Sequence, residues 1–148
     1  MRRADVVTLA RSWVGTPYVH QQAEKGAGCD CLGLLRGVWR ELGGKEPAYV
    51  PPYTMDWSEA SQIELLWLAA NHYLRPAEGP ERRGDVLLFR MADGAVAKHL
   101  GILTETADAA RFVHAYSGHG VVENSLSLPW RRRMVARFCF PEIHEEMP

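Results

Sequence analysis

The hydrophobic pattern of this chain changes character about halfway along, and that change limits the folds it can adopt. In the first half, apolar residues recur at helical spacing over residues 5–14, 32–42 and 58–70, and Gly or Pro follows each segment. In the second half, short β-branched and aromatic runs alternate with turn residues, which is typical of an antiparallel meander. Those runs are residues 85–89, 98–103, 111–116, 120–123 and 134–140. Helices followed by strands predict an α+β domain in which the helices pack on an antiparallel sheet.

The size and charge of the chain limit its organisation and its partners. Its 148 residues are the length of one domain, and an apolar fraction of 47% is enough for a core. We predict a single domain over residues 1–141 and a tail over residues 142–148. Lys and Arg total 17 against 18 Asp and Glu, so no nucleic-acid partner is predicted. No window approaches the roughly 20 apolar residues of a membrane span, so no membrane anchor is expected.

The amino-terminal segment bears on where the chain is made. Arg2 and Arg3 are basic, but Arg11 interrupts the apolar run that a secretory signal peptide would need after them. We therefore expect synthesis in the cytoplasm without a signal peptide.

One of the three cysteines stands in a setting that suits a nucleophile. Cys29, Cys31 and Cys139 are an odd number and too few for a disulfide scaffold. Asp30 occupies the N-cap position of the second predicted helix, which places Cys31 in its first turn. A helix N-terminus favours the thiolate through its free N–H groups and the macrodipole. Cys31 is therefore the candidate nucleophile, and no metal or other cofactor is predicted.

Two histidines in the strand region are candidates for the remaining catalytic groups. A nucleophilic cysteine needs an imidazole that takes its proton and later returns it to the leaving amine. His99 is the best candidate for this base, and Gly101 leaves room for a close backbone approach beside it. His114 lies one strand further along, where it can hold the His99 imidazole in the right tautomer.

Each of these residues also has a plainer interpretation. A helical cysteine is more often a small core residue, and a strand histidine is usually structural. Cys29, Cys31 and two of the histidines could instead form a zinc site, although Cys-x-Cys is a poorer chelating spacing than Cys-x2-Cys. It is the combination of a capped cysteine with two strand histidines that favours an enzyme.

Five short motifs follow one another along nearly the whole chain. They are Gly15-Thr16-Pro17-Tyr18, Cys29-Asp30-Cys31-Leu32-Gly33-Leu34, Gly84-Asp85-Val86-Leu87, His99-Leu100-Gly101-Ile102 and Val113-His114-Ala115. In this order and spacing they resemble the signatures of the NlpC family of papain-like cell-wall peptidases. The resemblance implies a papain-like domain with the nucleophile at a helix N-terminus.

The resemblance also implies a role for each matching residue. Cys31, directly after Asp30, corresponds to the nucleophile of the family. His99 corresponds to the base, and His114 to the third member, which orients it. Tyr18 corresponds to a tyrosine whose hydroxyl helps the Cys31 backbone N–H to hold the oxyanion.

The substrate that the resemblance implies is the stem peptide of peptidoglycan, commonly cut next to D-isoglutamate. Leu32 stands where the family usually has Ser, a residue that helps to bind substrate. The bond that is cut therefore stays open.

A weaker likeness concerns the setting in which such an enzyme works. The Pro-rich middle segment and the expected lack of a signal peptide resemble the branch encoded beside tail genes in phages and gene transfer agents. That likeness implies phage-like tail or baseplate proteins as partners and a position at the virion tail tip, acting in the periplasm or cell wall. The loop over residues 47–57 is our candidate for a docking patch or a cleft cover.

Two other functions compete with this prediction. Relatives in the same superfamily are acyltransferases, but those generally present His before Cys, whereas Cys31 precedes His99 here. A non-catalytic structural tail component or wall-binding module is the second alternative. The intact set of Cys31, His99 and His114 argues against it.

Overall fold

The structure, a computed structural model, describes residues 2–44 and 64–143. Four α-helices and eight β-strands lie within these ranges, with a short 3-10 helix, Ala107–Ala109, between the fifth and sixth strands. In chain order they are α1 (Arg3–Ser12), β1 (Ala23–Glu24), β2 (Gly28–Cys29), α2 (Cys31–Glu41), α3 (Leu65–Tyr73), β3 (Arg75–Pro76), β4 (Val86–Arg90), β5 (Ala97–Glu105), β6 (Arg111–Tyr116), β7 (Gly120–Ser125), α4 (Leu128–Arg133) and β8 (Met134–Cys139). The predicted loop over residues 47–57 and the predicted start of the third helix at Ser58 lie outside the described residues.

Six of the strands form one antiparallel sheet in the spatial order β3-β8-β4-β5-β6-β7. The remaining two, β1 and β2, form a separate two-stranded ribbon. Helices α1, α2 and α3 contact the sheet at β5, and α2 also contacts β6. This arrangement confirms the predicted α+β class, with helices packed on an antiparallel sheet. In the described part of the chain, no helix is both long and apolar enough to cross a bilayer.

Alternation along the strands divides the buried apolar side chains between two clusters. The larger cluster joins the helices to the sheet and includes Val6, Trp13, Leu34, Val38, Leu88, Leu100, Ile102 and Val113. The smaller cluster contains Leu87, Phe89, Leu103, Phe112 and Leu126, with Trp130 of α4 packed against it. The sheet is therefore covered by helices on one side and by α4 on the other.

Helix α4 is an element that the sequence pattern did not predict. From the sequence alone, its basic end, residues 131–133, is predicted to be an exposed turn between strands. In the structure, Pro129 stands at the start of the helix, where its fixed φ and missing N–H suit the first turn. Trp130 anchors the helix on the sheet, and Arg131 forms an ion pair with Glu81 at 2.9 Å.

The carboxyl-terminal boundary of the packed chain lies beyond the predicted one. Glu142 accepts a hydrogen bond from the Trp39 indole N–H at 2.8 Å, and Ile143 is buried in the main cluster. These two residues, which the sequence pattern placed in a tail, therefore belong to the folded part of the chain.

A buried carboxylate ties three distant parts of the chain together. Asp85 is 1% exposed and forms ion pairs with Arg3 of α1 at 2.7 Å and with Arg137 of β8 at 2.8 Å. It also accepts a hydrogen bond from the backbone N–H of Arg82 at 3.0 Å. A carboxylate can be buried in this way only when charged and polar donors surround it.

We predict that Asp85→Ala lowers the free energy of unfolding by about 3 kcal/mol, because two partly buried guanidinium groups lose their shared partner. Urea denaturation at pH 7 measures the change. Asp108→Ala, at an exposed acidic residue of the 3-10 helix, is the matched control and should stay within about 0.5 kcal/mol of the parent. Equal losses in the two variants would contradict the structural role of Asp85.

Candidate active site

The site begins with the cap of helix α2. The Asp30 side chain accepts hydrogen bonds from the Gly33 N–H at 2.8 Å and from the Gln21 N–H at 2.7 Å. One carboxylate oxygen thus satisfies the first turn of the helix, and the other holds the loop before β1. Cys31 is the first residue of α2, as the sequence predicted.

A glycine allows this helix to lie close to the preceding loop. A Cβ atom at Gly33 would lie 1.8 Å from the carbonyl oxygen of Gln22. Any side chain at this position would push the helix away from the loop. Gly33 therefore keeps the start of α2, and with it Cys31, in place.

The thiol of Cys31 rests against strand β5, beside His99. Its sulfur lies 3.8 Å from the carbonyl oxygen of Lys98, and the backbone N–H of Leu100 also donates to it. The hydrogen bond that the structure gives the thiol thus runs to the backbone next to His99 and not to its imidazole. The Cys31 residue as a whole is partly buried and packs against the main apolar cluster.

A β-bulge brings the backbone of β5 to the thiol. Phe89 pairs with His99 and Arg90 pairs with Ala97, which leaves Lys98 as an extra residue on β5. Bulges of this kind bend a strand and re-aim the neighbouring side chain, and they are common next to active sites. The extra residue is the one whose carbonyl oxygen contacts Cys31.

The two histidines contact each other directly. Nε2 of His99 lies 2.8 Å from Nδ1 of His114, and both rings are buried. Gly101 makes this approach possible, because a Cβ atom there would lie 2.7 Å from the Phe112 ring and 3.4 Å from the Cβ of His114. The close approach expected at Gly101 is therefore confirmed.

Three residues that the sequence pattern did not single out complete the surroundings of this pair. Nε2 of His114 lies 2.7 Å from Oδ1 of Asn124. Trp130 stacks on His99 with 5.7 Å between ring centroids, and Phe112 stacks on His114 at 4.2 Å. The hairpin register offered a signal for Asn124: it pairs with Phe112 and therefore shares a face with His114.

Tyr18 lies next to the start of α2. It forms a β-bridge with Cys29, in which the Cys29 N–H donates to the Pro17 carbonyl and the Val19 N–H donates to the Cys29 carbonyl. Burial raises the pKa of Tyr18 to about 12, and the charged forms of Cys31 and Asp30 act in the same direction. The structure thus brings Tyr18, Asp30 and Cys31 together, and it places His99 beside them on β5.

Burial dominates the protonation of the site. It raises the pKa of the Cys31 thiol to about 12, with a further contribution from Asp30, and the N–H groups of Leu100 and Leu32 oppose it. Burial and the neighbouring His114 lower the pKa of His99 to about 3. The helix N-terminus alone, which the sequence suggested would favour the thiolate, is therefore outweighed. At neutral pH the resting site holds a neutral thiol and a neutral imidazole.

The alternative of a zinc site has no cluster to support it in the part of the chain that the structure describes. No three His, Cys, Asp or Glu side chains within residues 2–44 and 64–143 are grouped so that they could hold a metal ion. Cys29 is buried, and burial raises the pKa of its thiol to about 12. It packs in the main apolar cluster.

Most of the chain matches one known protein family. The family model for NlpC/P60 matches residues 15–138, which includes Tyr18, the capped Cys31 and both histidines. The chain belongs to the NlpC/P60 family. A search of curated protein sequences yields no match to this NlpC/P60 domain.

Solved structures share the fold of this NlpC/P60 domain at low sequence identity. The NlpC/p60 domain of the peptidoglycan hydrolase SagA is 20% identical with a TM-score of 0.62, over 95% of this chain and 100% of that one. A Staphylococcus aureus protein described as similar to lipoprotein, NLP/P60 family, is 22% identical with a TM-score of 0.58, over 97% and 42%. A Bacillus cereus NlpC/P60 family protein is 15% identical with a TM-score of 0.63, over 93% and 39%. The chain thus spans about two fifths of the length of the latter two proteins.

We predict that iodoacetamide alkylates Cys31 about tenfold faster per pH unit from pH 7 to 10, with no plateau. Only the thiolate reacts, and a pKa raised to about 12 keeps the thiolate fraction rising throughout this range. Mass spectrometry of the labelled peptide measures the rate, and Cys31→Ala reports the background from Cys29. A plateau already reached at pH 7 would reveal a resting thiolate–imidazolium pair and contradict the neutral one.

Proposed function

We propose that this NlpC/P60 domain is a cysteine peptidase that cuts peptidoglycan stem peptides. The observation that carries the proposal is the placement of the Cys31 thiol, at a capped helix start, against the backbone that flanks His99. Membership of the NlpC/P60 family and the fold shared with a domain of a peptidoglycan hydrolase support the same substrate class. The residue roles are those that the resemblance implies.

In the proposed reaction, His99 takes the proton from the Cys31 thiol as the sulfur attacks the scissile carbonyl carbon. The carbonyl oxygen becomes an oxyanion, which the Cys31 N–H and the Tyr18 hydroxyl stabilise. The C–N bond then breaks, and His99 returns its proton to the leaving amine. This leaves a thioester on Cys31, which water hydrolyses with His99 again acting as base.

The specificity of the proposed enzyme depends in part on Leu32. This residue is the second of α2, is partly exposed, and replaces the serine that helps relatives to bind substrate. A leucine side chain offers apolar contact and no hydrogen bond. Product masses from defined wall fragments therefore decide which bond is cut.

We predict that Cys31→Ala abolishes hydrolysis of purified peptidoglycan fragments, whereas Cys29→Ala retains activity within about threefold of the parent. Cys31→Ser should also be inactive, because a hydroxyl proton is far harder for the imidazole to remove. Mass spectrometry of the products is the measurement, and far-UV circular dichroism checks the fold. Activity that survives in Cys31→Ala and disappears in Cys29→Ala would reverse the assignment.

We predict that His99→Ala loses about 10²-fold or more in kcat and that His114→Ala loses less, because removal of a base costs more than removal of its orienting partner. Both variants also remove a buried ring, so thermal unfolding must show that each is folded at the assay temperature. A chelator should leave the parent activity unchanged. Equal tolerance of the two substitutions would contradict the assigned roles.

We propose further that the enzyme is delivered to the cell wall as part of a phage-like tail or baseplate. The likeness to tail-encoded peptidases supports this, and a net charge of −1 suits a module docked on other proteins better than a cationic lysin drawn to an anionic envelope. Density-gradient purification of particles, followed by immunoblotting, tests it. Particles that lack the chain while the lysate contains it free would contradict delivery on a tail.

A further inference from the structure

We infer that Asn124 is a positioning residue that decides which nitrogen of His99 carries the lone pair. Asn124 lies on β7 and is two hydrogen bonds away from His99, through His114. The inference rests on the proposed function, in which His99 is the base for Cys31. Asn124 would thus be a fourth member of the family triad. It would act on His99 indirectly, through the ring of His114.

The orientation of the Asn124 amide sets the direction of its hydrogen bond with His114. The atom of Asn124 that lies 2.7 Å from Nε2 of His114 is Oδ1, and an amide oxygen only accepts. Nε2 of His114 must therefore carry a proton. Burial lowers the pKa of His114, so the ring is neutral, and a neutral imidazole has one donor and one acceptor nitrogen. Nδ1 of His114 is consequently the acceptor.

The acceptor at Nδ1 of His114 in turn fixes the tautomer of His99. Nε2 of His99 lies 2.8 Å from the accepting Nδ1 of His114, so it must donate. The neutral ring then holds its lone pair on Nδ1, the ring nitrogen nearer to its own backbone. The Cys31 thiol is held by the backbone on both sides of His99, at the Lys98 carbonyl and the Leu100 N–H. Nδ1 is then the only nitrogen of the His99 ring that can take the Cys31 proton.

If these hydrogen bonds ran in the opposite direction, His99 could not act as the base for Cys31. A donor in place of the Asn124 oxygen would move each proton by one nitrogen and leave an N–H at Nδ1 of His99. A water molecule can donate or accept, so it would hold neither direction. Both histidines are buried, and Phe112 and Trp130 stack on their rings. Asn124 is exposed and contacts Nε2 of His114, so its side chain stands between that nitrogen and solvent.

Three variants on β7 separate this role from a structural one. Asn124→Ala removes the acceptor, and we expect kcat to fall about tenfold with little change in KM, a smaller loss than the 10²–10⁴ that a general base contributes. Asn124→Asp keeps an atom that only accepts and, at a pH where His114 stays neutral beside the added charge, should stay within about threefold of the parent. Ser125→Ala, at the exposed next residue, is the matched control and should retain parental activity.

Long-range 15N–1H NMR of the histidine rings reads the tautomers directly and needs no substrate. We expect His99 to be protonated at Nε2 in the parent and in Asn124→Asp, and to be a mixture of tautomers in Asn124→Ala. A parent His99 protonated at Nδ1 would overturn the inference, as would an Asn124→Ala protein with the parental tautomer and kcat. If Asn124→Ala does not fold, the parent and the Asp variant still decide it. A protein with the expected tautomers that cuts no wall fragment would count against the proposed function alone.

Discussion

The site depends on one carboxylate that accepts two backbone hydrogen bonds. Asp30 is 2% exposed, and its two oxygens hold the Gly33 N–H inside the helix and the Gln21 N–H in the loop before it. Hydrogen bonds to a charged group contribute about 1.5–3 kcal/mol each, more than neutral ones. Cys31 is covalently next to this cap, so the bonds that begin the helix also hold its backbone, while β5 contacts its thiol.

Most of the fold could be predicted from local patterns, because helical spacing and strand alternation are properties of short segments. The runs at residues 111–116 and 98–103 correspond closely to β6 and β5. Short elements were missed because they depend on tertiary contacts. The ribbon of β1 and β2 has only two residues per strand, and α4 is a six-residue helix anchored by Trp130.

The candidate site could be predicted only in part, for a similar reason. A cap such as Asp30 is visible in sequence, so the place of Cys31 followed from it. The bulge at Lys98 could not be predicted, because it exists only in the register between β4 and β5. The protonation state of the Cys31 thiol could not be predicted either, because its pKa depends on how much water the packed domain removes from the sulfur. A helix terminus raises the probability of a thiolate, but burial decides the balance.

The ion pairs of Asp85 have a consequence for the order in which the domain can assemble. Of these three residues Arg3 is synthesised first, and Arg137 follows Asp85 by fifty-two residues. The strand that carries Arg137, β8, also lies in the interior of the sheet, between β3 and β4. While a ribosome still holds that strand, the edge of β4 is unpaired and the carboxylate has only one of its two cations. The central sheet is therefore completed from its latest described strand, and a nascent chain that stops short of β8 exposes a template for intermolecular strand pairing.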